Sequence, residues 1–423
     1  MAFLAMLASC GGGSDNFVID STPTTRTAIR QIWSYQITAH GGTAPVDYTI
    51  FSAPVGTQIT PTGLVAWTPE YADLGDHVIA VRATASNGVT QQNFTLTVHQ
   101  GIDMGVALSP RGHTQSSTTQ DYVDHLDPAS PHGRLRAFHG SWRDSVAEAG
   151  QIPTLLQTGM SFTTTYGITP AYVIGWADGT GTPDLTSTSE PANNTWSNSE
   201  TRSEFLAMVT AFAQAAQPPY LMLGNEVNFF LTTHSGTEWD DWVSEYQDCY
   251  TAIQTVSPGT IVGMVFQLEL LKGLGANAGW SQAAQWTEFD ALVGGGHLDA
   301  VAFTSYPYLE YATPSLLPTG YYDEIAAHWS GDVIFTEIAW PAVAHAPYPG
   351  SESDQAAFVD AFFAGTADLD MRYVAWLFLH DYHDQASTPA FQDIGLRDNT
   401  GSQIRAADAL WQAAVALRQQ PAQ

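Results

Sequence analysis

Residues 221–228 read LMLGNEVN, an apolar run that ends in a glycine, an asparagine and Glu226. Residues 333–341 read VIFTEIAWP, and there Glu337 again follows shortly after apolar residues. Short, continuous apolar runs of this kind predict strands that are buried on both faces, as in parallel sheets. A buried carboxylate without a partner is costly, so a glutamate at the end of each of two such strands indicates a functional site.

Six further apolar runs follow Gly101 and alternate with segments of helical periodicity, such as residues 353–366. This alternation predicts an α/β fold, a (β/α)8 TIM barrel over residues 101–420. A doubly wound sheet is the alternative, but no Gly-x-Gly-x-x-Gly motif follows the first run, which argues against dinucleotide binding. The predicted strands are 104–108, 134–139, 171–176, 220–225, 260–266, 300–306, 333–337 and 373–379, and the clearest predicted helices are 201–217, 238–256, 322–330, 353–366 and 404–418.

Residues 17–100 show short alternating strands separated by turn signals such as Gly41-Gly42, which predicts a small all-β sandwich. Residues 63–69 (GLVAWTP) and 73–77 (DLGDH) resemble the cysteine-free immunoglobulin-like modules of bacterial surface proteins. This resemblance implies an immunoglobulin-like domain that serves as a spacer.

The first ten residues, MAFLAMLASC, are mostly apolar and end in Cys10. They resemble the end of a bacterial lipoprotein signal peptide, whose lipobox has the form Leu-Ala/Ser-Gly/Ala/Ser-Cys. The resemblance implies cleavage before Cys10, lipidation of that cysteine and a flexible tether over residues 11–16. We therefore expect an exported protein of the cell envelope, lipid-anchored to a bacterial membrane, or a secreted one. The other cysteine, Cys249, is expected to be a small buried side chain in a helix.

The chain is acidic, because 13 Lys and Arg residues against 42 Asp and Glu residues give a net charge of −29. This balance argues against nucleic acid, whose phosphates are neutralised by clustered Lys and Arg. It also argues against electrostatic docking on anionic lipid, so membrane association is expected only through Cys10. Hydrophobic residues make up 44% of the chain, which is enough for a large core. We expect the protein to be a monomer.

Chemistry in a TIM barrel takes place where the strands end. Two glutamates in that position suit glycoside hydrolysis, in which one carboxylic acid protonates the leaving oxygen and an ionised carboxylate attacks the anomeric carbon. Repulsion between the two carboxylates helps to separate their pKa values. A separation of about 5 Å, which we expect here, goes with retention of configuration, and one of about 6.5 Å or more goes with inversion.

Asn225-Glu226 and Glu337, at the ends of the fourth and seventh strands, resemble the signature of the clan A glycoside hydrolases. The resemblance implies that Glu226 is the acid/base, that Glu337 is the nucleophile and that Asn225 binds the 2-hydroxyl of the sugar. It covers the layout of the whole barrel and assigns no family within the clan.

The same resemblance implies three further positions around the nucleophile. Clan members often have Tyr or His after strand six, which corresponds to Tyr306, and a Trp on strand eight beneath the sugar, which corresponds to Trp376. Many also have an Arg on strand two that hydrogen-bonds the nucleophile. Arg136 is the candidate for that position, and His139 at the end of the same strand is the alternative.

Three more side chains are weighed as substrate ligands. Trp176 and Trp340 follow the third and seventh strands, where they could stack on sugars or pack in the barrel wall. Asp381, within the sequence HDYHD at 380–384, is interpreted as a substrate ligand or part of a structured loop rather than a metal ligand. We expect no metal and no cofactor. The polar segment 177–198 is expected to shape a cleft at the barrel mouth.

These patterns predict a retaining glycosidase that acts on a β-linked polysaccharide or oligosaccharide. The alternative is a non-catalytic surface lipoprotein that binds a glycan on a degenerate glycosidase barrel. Degenerate barrels usually lose one carboxylate, whereas this chain keeps Glu226, Glu337 and Asn225. A barrel for phosphorylated substrates is disfavoured, because no glycine-rich phosphate cradle follows the last two strands.

Overall fold

The computed structural model of the chain describes residues 16–109, 126–127, 129–143, 150–176, 185, 195–234, 236–381 and 389–419. The chain divides into two compact units, of which one ends at Gly101 and the other spans Ile102–Gln419. The predicted lipidation site Cys10, nearly all of the predicted tether, most of the segment 177–198 and residues 382–384 lie outside the described residues.

Over residues 16–101, the N-terminal unit forms strands and one short 3-10 helix, which confirms its predicted all-β character. Its core joins residues of different sheets, among them Trp33, Trp67, Val81 and Leu96. One sheet has four strands, in the order Arg26–Ala28, Gly88–His99, Gly75–Ala85 and Asp47–Ser52. A second has three strands, in the order Trp33–Gln36, Leu64–Trp67 and Gln58–Ile59. A third pairs Val18–Ile19 with Ala39–His40.

The second unit is a closed barrel of eight parallel strands that follow one another in chain order, so the predicted TIM barrel is confirmed. The strands, called the first to eighth barrel strands below, are Asp103–Ala107, Leu135–Ser141, Thr169–Gly175, Tyr220–Leu223, Ile261–Gln267, Ala300–Ser305, Asp332–Ile338 and Met371–Trp376. The α-helices are Thr154–Tyr166, Ser199–Ala216, Gly236–Val256, Leu268–Leu271, Trp286–Gly294, Asp323–His328, Glu352–Gly365 and Ala406–Arg418. Among the described residues, no helix combines the length and the apolar character that crossing a membrane requires.

Side chains of the barrel strands alternate between the interior and the helix layer. Tyr220 of the fourth strand and Tyr373 of the eighth strand meet inside the barrel, with ring centroids 4.8 Å apart. Tyr172 of the third strand points outward and packs on Phe212 of the helix Ser199–Ala216, again at 4.8 Å. This alternation decides which predicted site residues can reach the mouth of the barrel.

Candidate active site

The turn after the fourth strand sets the position of Glu226. The strand ends at Leu223, two residues earlier than predicted, because Gly224 has a φ of 81° and leaves the extended conformation. A Cβ at Gly224 would lie 2.3 Å from Cγ1 of Val227 and 2.7 Å from Nε1 of Trp176, so this turn requires glycine. Glu226 itself has a φ of 50°. Non-glycine residues with positive φ are uncommon, and strained residues of this kind concentrate at functional sites.

The 3-10 helix Val227–Thr232 begins directly after Glu226 and is tied to the end of the fifth strand. The buried Asn228 amide donates to the carbonyl oxygen of Gln267 and to Oε1 of Gln285, each at 3.0 Å. Its Oδ1 accepts from the backbone N–H of Gln267 at 2.8 Å. These bonds fix the turn that carries Glu226 against its neighbouring strand.

A β-bulge in the seventh strand sets the direction of Glu337. Phe335 pairs with Phe303 of the sixth strand, but the next pair joins Glu337 to Thr304, so Thr336 is an extra residue. Phe335 points to the helix layer, where its ring centroid lies 4.9 Å from that of Phe362. Strict alternation would send Glu337 to the same side as Phe335. The extra residue turns Glu337 into the barrel instead, and bulges often re-aim side chains in this way next to active sites.

Glu226 and Glu337 share one hydrogen-bonded site with the sixth strand. The Thr304 hydroxyl donates to Oε1 of Glu226 at 2.7 Å. The Tyr306 hydroxyl, two residues further on, donates to Oε2 of Glu337. The Asn225 side chain also donates to Glu337. Within the described part of the chain, the buried Oδ1 of Asn225 has no hydrogen-bond partner, so an acceptor is left over in this site.

The two carboxyl groups have opposite pKa shifts. Burial, and then the negative charge of Glu337, raise the pKa of Glu226 from 4.5 to about 8, despite the hydrogen bond from Thr304. Burial also opposes the ionisation of Glu337. The charge and hydrogen bond of His139, with the hydrogen bonds from Tyr306 and Asn225, outweigh that effect and hold the pKa of Glu337 below its usual value. At neutral pH the site therefore holds one carboxylic acid and one carboxylate.

His139, and not Arg136, is the second-strand partner of Glu337. Nδ1 of His139 lies 2.7 Å from Oε1 of Glu337. The Arg136 side chain is buried, and its guanidinium donates to the carbonyl oxygens of Gly133 and Leu135, both at 2.7 Å, near the start of the strand. Residues three apart on a strand face opposite sides, so Arg136 and His139 cannot both point inward. The prediction of Arg136 as a substrate-site residue is therefore wrong on geometric grounds.

Trp376 does not form the floor of the site. Its side chain is fully buried and faces the helix layer, between Phe358 at 6.1 Å and Trp411 at 5.8 Å. Its Nε1 donates to the carbonyl oxygen of Ile394 at 2.8 Å. The same alternation that puts Tyr373 inside the barrel places Trp376, three residues later, outside it.

Trp176 and Trp340 pack in the barrel wall rather than presenting a face to a sugar. Trp176 is 1% exposed and lies 4.7 Å from Trp242 in ring-centroid distance. Trp340 is fully buried and lies 5.5 Å from Phe358 of the helix Glu352–Gly365. Stacking on a sugar needs an exposed ring, so of the two readings of these tryptophans the structure supports packing.

Asp381 is a structural side chain in this fold. It is buried, and its two oxygens accept from the guanidinium of Arg405 at 2.8 and 2.6 Å. Oδ1 also accepts from the backbone N–H of Gly395 at 2.9 Å. With its oxygens occupied in this way, Asp381 is not placed to bind substrate. In the described ranges, no three His, Cys, Asp or Glu side chains are grouped so that they could hold a metal ion.

Sequence reasoning named Tyr306 but assigned no role to Thr304, which contacts Glu226. The signal was present, because residues two apart on a strand face the same side, so that an inward Tyr306 implies an inward Thr304. The sequence analysis also does not name Glu269, a third carboxylate whose charge acts on Glu226. Glu269 sits in the helix Leu268–Leu271, directly after the fifth strand ends at Gln267, so the strand-end pattern that marks Glu226 could also have found it.

The comparisons with known proteins agree on the fold. No protein-family model and no curated protein matches the sequence. Among solved structures, an exo-β-1,4-mannosidase from Opitutaceae bacterium strain TAV5 is similar, with 17% identity, a TM-score of 0.53 and coverage of 75% of this chain. The β-glycosidase BGL167 has 14% identity and a TM-score of 0.52, with coverage of 76% of this chain and 97% of that protein. This chain spans 60% of the mannosidase, and at such identities the likeness establishes a common fold.

Proposed function

We propose that the protein is a retaining glycoside hydrolase that acts on β-linked glycans. The observation that carries this proposal is the meeting of Glu226 and Glu337 in one site, where Thr304 and Tyr306 of a single strand segment bind one carboxyl group each. The opposite pKa shifts of the two groups supply an acid and a carboxylate, as glycoside hydrolysis requires. The two similar solved structures are a mannosidase and a β-glycosidase, which is consistent with this chemistry.

In the first step, protonated Glu226 gives its proton to the glycosidic oxygen while the ionised Glu337 attacks the anomeric carbon. The bond between the anomeric carbon and the leaving oxygen breaks, and an ester between the sugar and Glu337 forms. His139, Tyr306 and Asn225 keep Glu337 ionised before the attack. The leaving group departs as a neutral alcohol.

In the second step, Glu226 acts as a base. Once Glu337 is esterified, its negative charge is gone and one cause of the raised Glu226 pKa is removed. The Glu226 carboxylate then accepts a proton from water, whose oxygen attacks the anomeric carbon and releases Glu337. Two inversions at the same carbon return the original configuration.

The unpaired acceptor of Asn225 supports a role in sugar binding. Its amide nitrogen is engaged with Glu337, whereas its buried Oδ1 has no partner within the described residues. A buried acceptor of this kind is costly unless a ligand supplies a donor. We propose that the sugar's 2-hydroxyl donates to Oδ1 of Asn225.

The test is an assay of the purified protein against a panel of aryl β-glycosides and β-linked glycans. Glu226→Gln and Glu337→Gln should each lower kcat/KM by at least about 1,000-fold on the best natural glycan, as expected when an acid or a nucleophile is lost. Glu245→Gln is the matched control. Glu245 is a buried glutamate that pairs with Arg202 of a neighbouring outer helix, and its replacement should leave activity near the wild-type level.

The same panel separates the enzyme from a non-catalytic glycan-binding protein. A protein of the second kind would bind one of the glycans with no turnover, and Glu226→Gln and Glu337→Gln would change affinity alone. That result would overturn the proposal.

We also propose, from the sequence, that the protein is exported and lipid-anchored through Cys10, with the N-terminal unit as an immunoglobulin-like spacer. Cys10→Ser expressed in a Gram-negative host should then leave the membrane fraction. Unchanged partitioning, or an intact Met1 in the mature protein by mass spectrometry, would contradict this proposal.

A further inference from the structure

Glu269 is a third carboxylate buried beside the candidate active site. It lies in the short helix Leu268–Leu271 directly after the fifth strand, and its side chain is fully buried. The part of the chain that the structure describes forms no ion pair with it, and its hydrogen bonds come from neutral groups. A buried carboxylate without a cation is expensive, so its presence calls for a specific reason.

The four hydrogen bonds that the structure gives Glu269 are all accepted by its two carboxyl oxygens. Oε2 accepts from Nε2 of Gln267 at 2.5 Å and from the backbone N–H of Tyr306 at 2.9 Å. Oε1 accepts from the hydroxyls of Ser305 at 3.0 Å and Tyr321 at 2.9 Å. An ionised carboxylate accepts at both oxygens. In a glutamine, the carbonyl oxygen can keep the bonds from Gln267 and Tyr306, and the amide N–H groups can donate to the Ser305 and Tyr321 hydroxyls, which can also accept.

Two of these donors belong to the strand segment that holds both proposed catalytic carboxylates. Glu269 binds the backbone of Tyr306 and the side chain of Ser305. The hydroxyl of the same Tyr306 donates to Glu337, and Thr304, the residue before Ser305, donates to Glu226. A shift of this segment would therefore disturb both contacts at once.

We propose that Glu269 is a positioning residue for the proposed hydrolysis, which holds Tyr306 against Glu337 and places a further negative charge beside Glu226. The inference rests on the proposed function and assigns to Glu269 no contact with substrate. Glu269 then has two separable effects. The length of its side chain positions Tyr306, and its negative charge acts on Glu226.

The electrostatic effect has a definite direction. After burial and Glu337, the charge of Glu269 is a further cause of the raised pKa of Glu226. The tyrosines that surround Glu269 stay neutral, because burial raises their pKa values. They are Tyr306, Tyr308, Tyr311, Tyr321 and Tyr322. The ammonium of Lys272 lies 3.9 Å from the ring centroid of Tyr321 and pairs with Glu324 at 3.2 Å, not with Glu269. Burial raises the pKa of Glu269 itself, and its hydrogen bonds oppose that rise.

Two substitutions separate the two effects. Glu269→Gln keeps the reach of the side chain but removes the charge, so the alkaline limb of the kcat/KM profile should move down by about one pH unit, as for the loss of a nearby like charge. Glu269→Asp keeps the charge but is too short to hold Tyr306, so kcat should fall at least about tenfold with the alkaline limb unmoved. Glu245→Gln, at a buried glutamate of the outer helices, should change neither quantity.

A readout independent of turnover distinguishes failure of this inference from failure of the proposed function. The titration of Glu226 can be followed by NMR of its carboxyl carbon in protein labelled with ¹³C-glutamate. The Glu226 signal is assigned as the one that is lost in Glu226→Gln. We expect it to titrate at lower pH in Glu269→Gln than in the wild type. This holds whether or not a glycan is hydrolysed. If Glu269→Gln does not fold, Glu269→Asp decides the matter by its kcat. An unmoved Glu226 titration in Glu269→Gln, or a wild-type kcat in Glu269→Asp, would overturn the inference.

Discussion

Nδ1 of His139 lies 2.7 Å from Oε1 of Glu337, and this contact joins the second and seventh strands across the barrel. The partner of the proposed nucleophile is thus an imidazole and not a guanidinium. The charge and the hydrogen bond of His139 are two causes of the lowered pKa of Glu337.

Replacing His139 tests this dependence. His139→Gln keeps a hydrogen-bond donor but removes the charge, so the pKa of Glu337 should rise and the acidic limb of kcat/KM should move to higher pH. We expect kcat/KM at its optimum to fall about 10- to 100-fold, because a charge-assisted hydrogen bond contributes about 1.5–3 kcal/mol. His328→Gln, which breaks a pair with Asp290 on the outside of the barrel, is the control. An acidic limb that does not move would show that His139 does not set the charge of Glu337.

The pH profile of the wild-type enzyme follows from the two carboxyl groups. The active form has Glu226 protonated and Glu337 ionised, so kcat/KM should be bell-shaped and should fall as pH rises through about 8, where Glu226 loses its proton. The two limbs report the coupled pair rather than either residue alone. A rate that stays constant well above this pH would contradict the assignment of Glu226 as the acid.

Stability should also depend on Glu226. Between pH 4.5 and about 8, the folded protein keeps a proton on Glu226 that the unfolded chain has released. The free energy of unfolding therefore falls as pH rises through this range. Glu226→Gln removes this dependence, so its Tm relative to wild type should rise across the range and level off above it. Glu288→Gln, at an exposed glutamate, should give a constant difference in Tm. A flat difference for Glu226→Gln would contradict the raised pKa.

The barrel could be predicted from the sequence because each of its strands is an apolar run that stands apart from the intervening segments. The helix Thr154–Tyr166 is not among the clearest predicted helices, since it is rich in Thr and contains Gly159. That glycine is required by close packing: a Cβ there would lie 2.8 Å from the ring of Tyr172 and 2.9 Å from that of Phe138. Such a contact depends on tertiary structure and leaves no periodic signal.

The two glutamates could be predicted because they follow apolar strands, but the direction of the side chains around them could not. The choice between Arg136 and His139 depends on strand register, which a single sequence does not give. The inward direction of Glu337 depends on the bulge at Thr336, which no local residue preference announces. The same holds for Trp376. A shift of the strand register by one residue decides whether its side chain faces the sugar site or the helix layer.

The packing role of Trp376 can be tested by substitution. Trp376→Phe should lower the free energy of unfolding of the barrel by about 1–3 kcal/mol, through the loss of buried volume and of the hydrogen bond to Ile394. KM should stay close to the wild-type value, because the ring does not reach the mouth. Thermal unfolding and KM for the best substrate are the two measurements. A higher KM with unchanged stability would contradict the packing role and indicate that Trp376 binds substrate.

The stereochemistry of azide rescue tests the central claim most directly, using an aryl β-glycoside that the wild-type enzyme hydrolyses. In Glu337→Ala, azide can occupy the emptied space and attack the anomeric carbon from that face, so the product should be an α-glycosyl azide. In Glu226→Ala, a substrate whose leaving group needs no proton should still glycosylate Glu337, and azide should then give a β-glycosyl azide. NMR of the two products decides the outcome. Opposite configurations are the result we predict; the same configuration from both variants, or full activity in either without azide, would contradict the assignment of Glu226 as acid/base and Glu337 as nucleophile.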